Sequence, residues 1–301
     1  MTTAPQYPTE ALIRASFENA LGTETAYTEL LPFFQSLYEM QAAALKTTLP
    51  GEIDLAPEVV STRHAAEMPL VERGEITLDP AAATALLQSI LAAAQSANRQ
   101  LAASATLLDG FFAGDESRLA RCHRMFLDKD RNGLSGLCSE IGIEAEPLDF
   151  FLYNSLWPSL ASHARRLSAE YAPNDDWVRG YCPICGALPK IAFLSETGRR
   201  FLVCRFCRHE WPFERIRCPF CDNKDTAPMG YHVNDDDKAH RIDTCDRCKI
   251  YIITVDTRRL PRDFYPPLEA LVATHLELKA EQMEYRQAID LNFEDLSPGV
   301  W

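Results

Sequence analysis

The sequence lacks the short motifs that mark several common enzyme classes. Its 301 residues contain no glycine-rich phosphate-binding loop, no G-x-S-x-G nucleophile elbow and no HExxH metalloprotease motif. There is no low-complexity tract, and no repeat outside the cysteine-rich region. The sequence therefore offers no pattern from which a catalytic residue can be assigned.

We also expect no segment that directs export or crosses a membrane. The first ten residues hold no basic stretch followed by an apolar run, so we expect no signal peptide. The uncharged stretch 80–98 approaches the length of a membrane span. It is rich in alanine and contains six polar side chains that lipid would leave unsatisfied, so we predict a buried helix and a cytoplasmic protein.

Positive charge is scarce outside one region. The chain has 30 Lys and Arg against 43 Asp and Glu, a net charge of −13, which should repel nucleic acid and acidic membranes. Residues 177–260 nevertheless carry 15 basic and 11 acidic residues, a net charge of +4, and eight of the ten cysteines. The distribution predicts a basic, cysteine-rich insert between acidic segments.

The first 170 residues follow helical periodicity. Apolar residues recur every three or four positions over 24–46, and again over 152–167, where Pro158 should kink the helix or begin a new one. Asp79 and Pro80 predict the start of a long helix that extends to about Phe112.

Two other segments are less regular. The prolines and mixed composition of 50–78 predict a connecting loop with little secondary structure. After the cysteine-rich region, Tyr265-Pro266-Pro267 precedes an apolar pattern that predicts one last helix.

Four Cys-x-x-Cys pairs carry most of the functional information. They are Cys182/Cys185, Cys204/Cys207, Cys218/Cys221 and Cys245/Cys248. The turn within such a pair, which we call a knuckle, directs two thiolates at one ion, and two knuckles complete a tetrahedral four-sulfur site. The first two pairs are separated by 18 residues and the last two by 23, which suits two knuckles joined by a hairpin.

The segments between the cysteines predict strands. Residues 191–194 and 200–203 flank a Glu-Thr-Gly turn, a polar turn is expected at 234–237, and an apolar strand at 250–255. The two halves of the region therefore resemble tandem copies of one ribbon.

Other arrangements of the cysteines remain open from the sequence. A cross-braced pairing would join the first knuckle to the third and the second to the fourth. Thiol–disulfide exchange would require a knuckle between a strand and a long helix, a pattern that none of the four shows. Structural disulfides are not expected in a cytosolic protein. Metal binding is the favoured interpretation, and because zinc and iron both accept four thiolates, the ligands do not select the metal.

The remaining cysteines and histidines offer weaker candidates. Cys122, His123 and Cys138 could bind a metal, but buried, inert side chains are the usual state of such residues. His163 lies near an apolar stripe and is expected in the core. His209 follows Cys207 closely, but four thiolates per site leave no position for it.

A nucleic-acid-binding interpretation competes with a purely structural one. Basic and aromatic residues alternate between positions 199 and 217, as in surfaces that contact phosphates and stack bases. The residues are Arg199, Arg200, Arg205, Arg208, Arg215 and Arg217, with Phe201, Phe206, Trp211 and Phe213. We favour the structural alternative, in which the arginines stabilise anionic thiolate sites and the aromatics form a small core.

These residues resemble a known family, the formate dehydrogenase accessory proteins of the FdhE type. The resemblance rests on the order of the four knuckles and on the bridge Cys204-Arg-Phe-Cys-Arg-His-Glu-Trp-Pro-Phe-Glu-Arg-Ile-Arg-Cys218. It extends to the preceding segment 195–203, to Tyr251 and to a Pro-Leu-x-x-Arg-Gly-Glu-like segment at 69–75. One departure is the last knuckle, Cys245-Asp-Arg-Cys-Lys249, where the family often has glycine, which leaves its turn geometry uncertain.

The resemblance implies a cytoplasmic maturation factor with no catalytic residues of its own. Its expected partner is the catalytic subunit of a molybdenum- or tungsten-containing formate dehydrogenase, bound before that subunit is exported. No membrane and no nucleic acid is expected as a partner. Alternatives are a zinc-ribbon nucleic-acid-binding protein and a rubredoxin-like electron-transfer protein.

The resemblance also implies how the metals are bound. Cys182, Cys185, Cys204 and Cys207 would bind one ion, and Cys218, Cys221, Cys245 and Cys248 a second, with iron favoured and zinc possible. The expected fold is a mainly helical N-terminal domain, then tandem rubredoxin-like or zinc-ribbon modules with a little β-structure, and a C-terminal helix. The expected boundaries are 1–174 (helical domain), 175–214 and 215–260 (the two ribbons), and 261–301 (C-terminal helix and tail).

Overall fold

The structure is a computed structural model that describes residues 9–23, 27–49, 51, 53, 55–172, 176–233 and 237–288. Helices occupy most of the chain before residue 172, and a sheet follows. The predicted fold class, a helical N-terminal region followed by a sheet with two four-cysteine groups, is confirmed.

Eight helices form the N-terminal region of the described chain. They are α1 (Glu10–Thr23), α2 (Leu31–Thr47), α3 (Pro57–Ala65), α4 (Pro80–Ala94), α5 (Arg99–Phe112), α6 (Glu116–Leu127), α7 (Arg131–Ile141) and α8 (Ala145–Tyr171). The stripe predicted over 24–46 becomes α2, whose buried face includes Leu31, Leu37 and Tyr38. Residues 24–26, where that prediction begins, lie outside the described residues.

The long helix predicted from Asp79 is correct at its start but is divided in two. The Asp79 carboxylate accepts a hydrogen bond from the Ala82 backbone N–H at 3.0 Å, as an N-cap does. α4 ends at Ala94, and Asn98 then caps α5 by accepting from the Leu101 N–H at 2.9 Å. The asparagine cap therefore separates two helices that the apolar pattern alone had joined.

The loop predicted over 50–78 is wrong in part. It contains α3 and a 3₁₀ turn at Arg73–Glu75, in which the Glu75 carboxylate reaches back to the Glu72 backbone N–H. Pro57 begins α3 at a position where its missing N–H costs nothing, so a residue interpreted as a loop signal acts as a helix start. Residues 50, 52 and 54 lie outside the described residues.

Pro158 lies inside α8 and does not begin a new helix. α8 is 27 residues long and is buried along most of its length, including Leu152, Leu156 and Leu160 from the predicted stripe. Packing on several sides compensates for the hydrogen bond that proline cannot donate.

Six strands form one sheet after the helical region. They are β1 (Pro189–Leu194), β2 (Arg200–Cys204), β3 (Glu210–Pro212), β4 (Met229–Val233), β5 (His240–Cys245) and β6 (Ile250–Asp256). The strands predicted at 191–194, 200–203 and 250–255 are confirmed. The predicted polar turn at 234–237 falls mostly outside the described residues, which resume at Asp237.

The sheet consists of two three-stranded units in the order β3-β2-β1-β6-β5-β4. In each unit the second strand pairs antiparallel with the first and the third. The units join through β1 and β6, which are parallel, with Ile191 opposite Ile253. The second unit therefore repeats the first by a shift along the sheet, with the same strand order and direction.

The two faces of the sheet are covered by different parts of the chain. On the front face, Ala192, Leu202, Trp211 and Ile252 belong to the same core as the N-terminal helices. On the back face, strand residues such as Ile191, Ile242 and Ile253 pack against Ala270, Ala273 and Leu276. Those last residues come from α9 (Pro266–Val272), α10 (Thr274–Gln282) and the junction between them, so the single C-terminal helix predicted from the sequence is two helices that meet at Ala273.

The two units also meet closely at their knuckles. A Cβ atom on Gly180 would lie 1.9 Å from the Pro219 carbonyl oxygen, so only glycine fits where the segment before the first knuckle passes the third. Among the described helices none is long and apolar enough to cross a membrane, and this includes α4 in the uncharged stretch 80–98.

Candidate metal centres

All four knuckles adopt the same backbone turn. The residue after the second cysteine has a positive φ in each of them: 72° at Gly186, 59° at Arg208, 61° at Asp222 and 58° at Lys249. Its N–H donates to the carbonyl of the first cysteine, at distances of 2.8 to 3.1 Å. The last knuckle, whose lack of glycine left its geometry uncertain, therefore has the same turn as the others.

The structure brings the cysteines together in two groups of four. Cys182, Cys185, Cys204 and Cys207 form the first group, and Cys218, Cys221, Cys245 and Cys248 the second; within each, the four Sγ atoms lie within 4.8 Å of one another. The first and second knuckles thus share one group and the third and fourth share the other. The cross-braced alternative does not match this grouping.

The sulfur separations fit a tetrahedral metal ion. In the first group the Cys182–Cys207, Cys185–Cys204 and Cys185–Cys207 Sγ atoms lie 3.5 to 3.7 Å apart. In the second group the Cys218–Cys248 and Cys221–Cys245 Sγ atoms lie 3.7 Å apart. Four sulfurs at about 2.3 Å from a tetrahedral ion are about 3.8 Å from one another. A disulfide would bring two sulfurs to about 2.05 Å, and all ten cysteines are free.

The electrostatics of the first group also fit a cation. Burial raises the pKa of Cys182 well above the ordinary value of a thiol, because a lone thiolate there would lose its hydration. A bound ion would supply the missing positive charge, and backbone N–H groups already assist. Those of Phe206 and Cys207 point at Cys204 Sγ, at 3.3 and 3.4 Å.

The helical region holds the first group through direct backbone contacts. The N–H groups of Leu70 and Val71 donate to the carbonyls of Pro183 and Ile184 in the first knuckle, at 2.9 and 3.0 Å. From α8, the Tyr153 hydroxyl donates to the Phe206 carbonyl in the second knuckle at 2.9 Å. The first site is therefore fixed between α8 and the segment 69–75.

Two buried arginines, Arg73 and Arg208, also lie around the first cysteine group. The Arg73 guanidinium lies 4.3 Å from the centroid of the Phe206 ring. The Arg208 guanidinium lies 4.0 Å from the centroid of the Trp157 ring and donates to Gln41 Oε1 at 3.1 Å. Reasoning from residue patterns missed the contribution of 69–75, because it lies in the presumed loop; only the family resemblance singled it out.

The second group is more open. Cys218 and Cys245 are buried, but Cys221 and Cys248 are half-buried, whereas all four ligands of the first group are buried. A hydrogen bond with Cys248, together with the backbone N–H groups of Cys221 and Phe220, lowers the pKa of Cys218 to about 5. A thiolate at Cys218 is therefore favoured.

Most of the arginines in the segment 199–217 face inward. Arg200, Arg205, Arg208 and Arg217 are buried, as are Phe206, Trp211 and Phe213, while Arg199 and Arg215 are exposed. Arg217 pairs with Glu214 at 2.9 Å and with Asp222. This burial supports the structural interpretation over nucleic-acid binding, because side chains in the core cannot reach phosphates.

The remaining candidates lie outside both cysteine groups. Cys122 and His123 are buried on α6, and burial lowers the pKa of His123 to about 3, so its ring is neutral. His163 contacts the Thr77 carbonyl at 2.7 Å in the core. Burial lowers the pKa of His209 to about 4, and this residue belongs to neither group. Cys138 is half-buried on α7.

Comparisons with known proteins point to one family. Residues 181–215 match the family model described as "FdhE, central domain". An FdhE homolog of Aquifex aeolicus is 31% identical over 158 residues, which cover 51% of this chain and 54% of that protein. An FdhE homolog of Yersinia pestis is 29% identical over 119 residues, covering 38% of this chain and 37% of that protein.

A solved structure extends the likeness to the whole fold. The crystal structure of the FdhE protein from Pseudomonas aeruginosa superposes with a TM-score of 0.67 at 22% identity, covering 98% of this chain and 99% of that chain. The alignment with the Aquifex relative spans about half of that protein's length, and the Yersinia alignment less. Together these matches confirm the resemblance to the FdhE family that the sequence predicts.

Proposed function

Because the resemblance to the FdhE family is confirmed, we propose that the chain is a non-catalytic accessory protein for the maturation of formate dehydrogenase. It binds the catalytic subunit of that enzyme in the cytoplasm, before export. The observation that carries the proposal is the match of residues 181–215 to the FdhE central domain, the segment that supplies the whole first cysteine group.

The proposal includes two bound metal ions with a structural role. Cys182, Cys185, Cys204 and Cys207 bind one, and Cys218, Cys221, Cys245 and Cys248 bind the other, with iron as the proposed metal. The sulfur spacing, the buried thiols and the repeated knuckle turn support these ligand sets. Each ion ties two knuckles together, so it links the ends of a hairpin and stabilises the sheet on which the helices pack.

Binding to the catalytic subunit tests the proposal. The tagged chain is purified from its host grown on formate, and the amount of co-purified catalytic subunit is measured by quantitative mass spectrometry. We expect the subunit to be enriched, and the enrichment to be lost in Cys182→Ser, because that variant lacks one ligand of the first ion. Cys138→Ser, which alters a half-buried thiol outside both groups, should retain it.

Two results would contradict the proposal. Absence of the catalytic subunit from the purified chain would remove the proposed partner. A Cys182→Ser chain that keeps its fold but no longer activates the enzyme would show that the ion acts in more than a structural role, and the electron-transfer alternative would then be favoured.

A further inference from the structure

One part of the sheet's front face is not covered by the described helices. The N-terminal helices pack on the first unit, but in the second unit the front side of β4 faces outward, and Tyr231 is 66% exposed. β4 pairs with β5 on one side only, and no strand among the described residues pairs with its other side. A sheet edge with an open apolar face is the usual place for an added extended peptide.

An apolar cleft lies on this open part of the sheet. Its volume is about 290 Å³, and its walls include Ile216, Pro219, Met229, Tyr231 and Ile252. The bridge before the third knuckle forms one side and β4 the other. Cys218 and Cys245 of the second group also line it, so an occupant would rest against the second metal site.

Ile216 is unusual for its position. It is 56% exposed although it lies beside buried Arg217, and it stands at the entrance of the cleft. Together with exposed Tyr231 and the apolar walls of the cleft, it forms a contiguous apolar surface, and such a surface marks an interaction site.

Four arginines and one acidic residue, Asp243, line the cleft on a chain that is acidic overall. Arg200 and Arg241 pair with Asp243, and Arg217 pairs with Glu214 and Asp222. Arg215 lines the cleft, is exposed and forms no ion pair with any described residue. Arg199 is exposed and forms no ion pair with a described residue, and its guanidinium lies 5.5 Å from the Phe201 ring centroid. It lines an adjoining cleft of about 500 Å³ that shares Arg200, Arg215 and Arg217 with the first. Arg199 and Arg215 offer sites for carboxylates at one end of an apolar surface.

A buried arginine also lies beside the cleft. Arg200 is 2% exposed and lines both clefts. Its NH1 group donates to the Arg217 carbonyl at 3.1 Å, and its NH2 group lies 3.7 Å from an Asp243 carboxylate oxygen. Its buried Nε has no acceptor among the described residues, and leaving such a donor unpaired costs free energy.

We propose that the cleft between β4 and the third knuckle binds an extended segment of the partner protein, in which a large apolar side chain is flanked by acidic residues. The apolar side chain enters between Ile216 and Met229, its backbone lies along the open edge of β4, and the acidic residues reach Arg215 and Arg199. The inference rests on the proposed function only in taking the formate dehydrogenase catalytic subunit as that partner.

Binding affinity for the purified catalytic subunit tests the inference, measured with the full metal-loaded chain. Ile216→Glu places a carboxylate at the entrance of the cleft, and Arg215→Glu reverses the charge of the free arginine. Each should weaken binding by about tenfold or more, because the first places a charge against the apolar side chain of the occupant and the second repels its acidic residues. Arg215→Glu should also reduce the dependence of binding on salt.

Matched controls separate the cleft from general surface effects. Leu278→Glu alters a residue of α10 that is 57% exposed, close to the 56% of Ile216. Arg165→Glu reverses an exposed arginine on α8. Both controls should bind the subunit as the unaltered chain does. Equal affinity of all four variants would overturn the cleft proposal and leave the proposed function standing.

Photo-crosslinking identifies the occupant. A photoreactive phenylalanine analogue at Tyr231 should crosslink to one segment of the catalytic subunit that contains an apolar residue with acidic neighbours. Crosslinks to residues 289–301 of the same chain, which carry three acidic and no basic residues, would overturn the proposal in favour of an internal occupant. Crosslinks to a second copy would overturn it as well.

If the catalytic subunit does not bind the unaltered chain, the proposed function fails and the cleft is tested by itself. A displayed library of 12-residue peptides is selected on the immobilised chain. Enrichment of acidic–apolar sequences that no longer bind Ile216→Glu would preserve the cleft proposal, and the absence of such sequences would overturn it.

Discussion

Arg208 connects a knuckle to the helical region through its own side chain. It is buried, lies 4.0 Å from the Trp157 ring centroid on α8 and donates to Gln41 on α2. A planar guanidinium can stack on an indole and donate a hydrogen bond at the same time, whereas an ammonium group is a single hydrated charge. The residue therefore couples the first metal site to two helices.

Replacing Arg208 with lysine should destabilise the protein although the charge is kept. We expect the free energy of unfolding to fall by about 1–3 kcal/mol, because the stacked contact is lost and the charge becomes less well accommodated. Urea unfolding of the metal-loaded chain, followed by tryptophan fluorescence, measures the change. Arg215→Lys is the control and should have little effect, because Arg215 is exposed; equal losses in both variants would refute the role assigned to Arg208.

The sequence predicts which cysteines come together more readily than it predicts what supports them. The spacing of the eight cysteines depends on a local turn and a hairpin, both of which are short-range and leave a pattern. The contacts of Arg73 and Arg208 depend on which helix meets which knuckle. That is decided by tertiary packing and leaves no periodic signal in the chain.

At the scale of elements, a buried charge network fixes the second unit to the C-terminal helices. On β5, the two ring nitrogens of His240 each lie 2.8 Å from a carboxylate oxygen: Nδ1 from Asp237 and Nε2 from Glu269 of α9. Arg262 donates two hydrogen bonds to Glu269. Burial alone would lower the pKa of His240, but the hydrogen bonds with Asp237 and Glu269 outweigh it and raise the pKa to about 9. The imidazolium therefore persists at neutral pH.

This network should make stability depend on alkaline pH. Folding raises the pKa of His240 from 6.5 to about 9. The resulting stabilisation is therefore fully present below pH 6.5 and is lost as the pH rises through about 9. Between pH 7 and pH 10 the contribution should fall by about 2–3 kcal/mol. Urea unfolding at both pH values measures the loss.

His240→Gln provides the comparison for that experiment. Glutamine can hydrogen-bond without titrating, so the variant should be less stable than the unaltered chain at pH 7, and the difference should shrink at pH 10. The cysteine thiols also titrate at alkaline pH, but their contribution is the same in both proteins. If the stability of the two proteins changed equally between pH 7 and pH 10, His240 would not be the source of the pH dependence.

The limits of prediction at this scale have a common cause. Apolar periodicity found α2, α8 and the strands next to the knuckles, because their buried residues recur at regular spacing. It joined α4 to α5 and merged α9 with α10, because an apolar face continues across each break. It also missed α3, which has no buried residue among its nine. The expected boundaries at 174, 214 and 260 stay predictions.

At the scale of the whole molecule, the two metal sites differ in their access to solvent. The first is enclosed by α8 and the segment 69–75, with all four ligands buried, while Cys221 and Cys248 leave the second partly open. A thiol reagent must reach a cysteine sulfur before a bound ion can leave. The solvent access of each site should therefore control the rate at which it loses its ion.

Metal release should therefore occur in two phases, with the second site first. The zinc-loaded chain is treated with a mercurial thiol reagent, and the released zinc is followed with a colorimetric chelator. Cys221→Ser should abolish the fast phase and leave the slow one. A single phase in the unaltered chain, or a fast phase that persists in Cys221→Ser, would contradict the difference in access.

The parallel pairing of β1 with β6 also has a consequence for how the chain is made. Ile191 and its partner Ile253 are 62 positions apart, a distance that a ribosome covers in about 3–12 s at roughly 5–20 residues per second. During those seconds the partner strand of β1 has not yet been synthesised, whereas Cys207, the last cysteine of the first group, follows Ile191 by only 16 residues. Capture of the first ion during translation would hold the nascent hairpin closed until the second unit arrives to cover the open edge of β1.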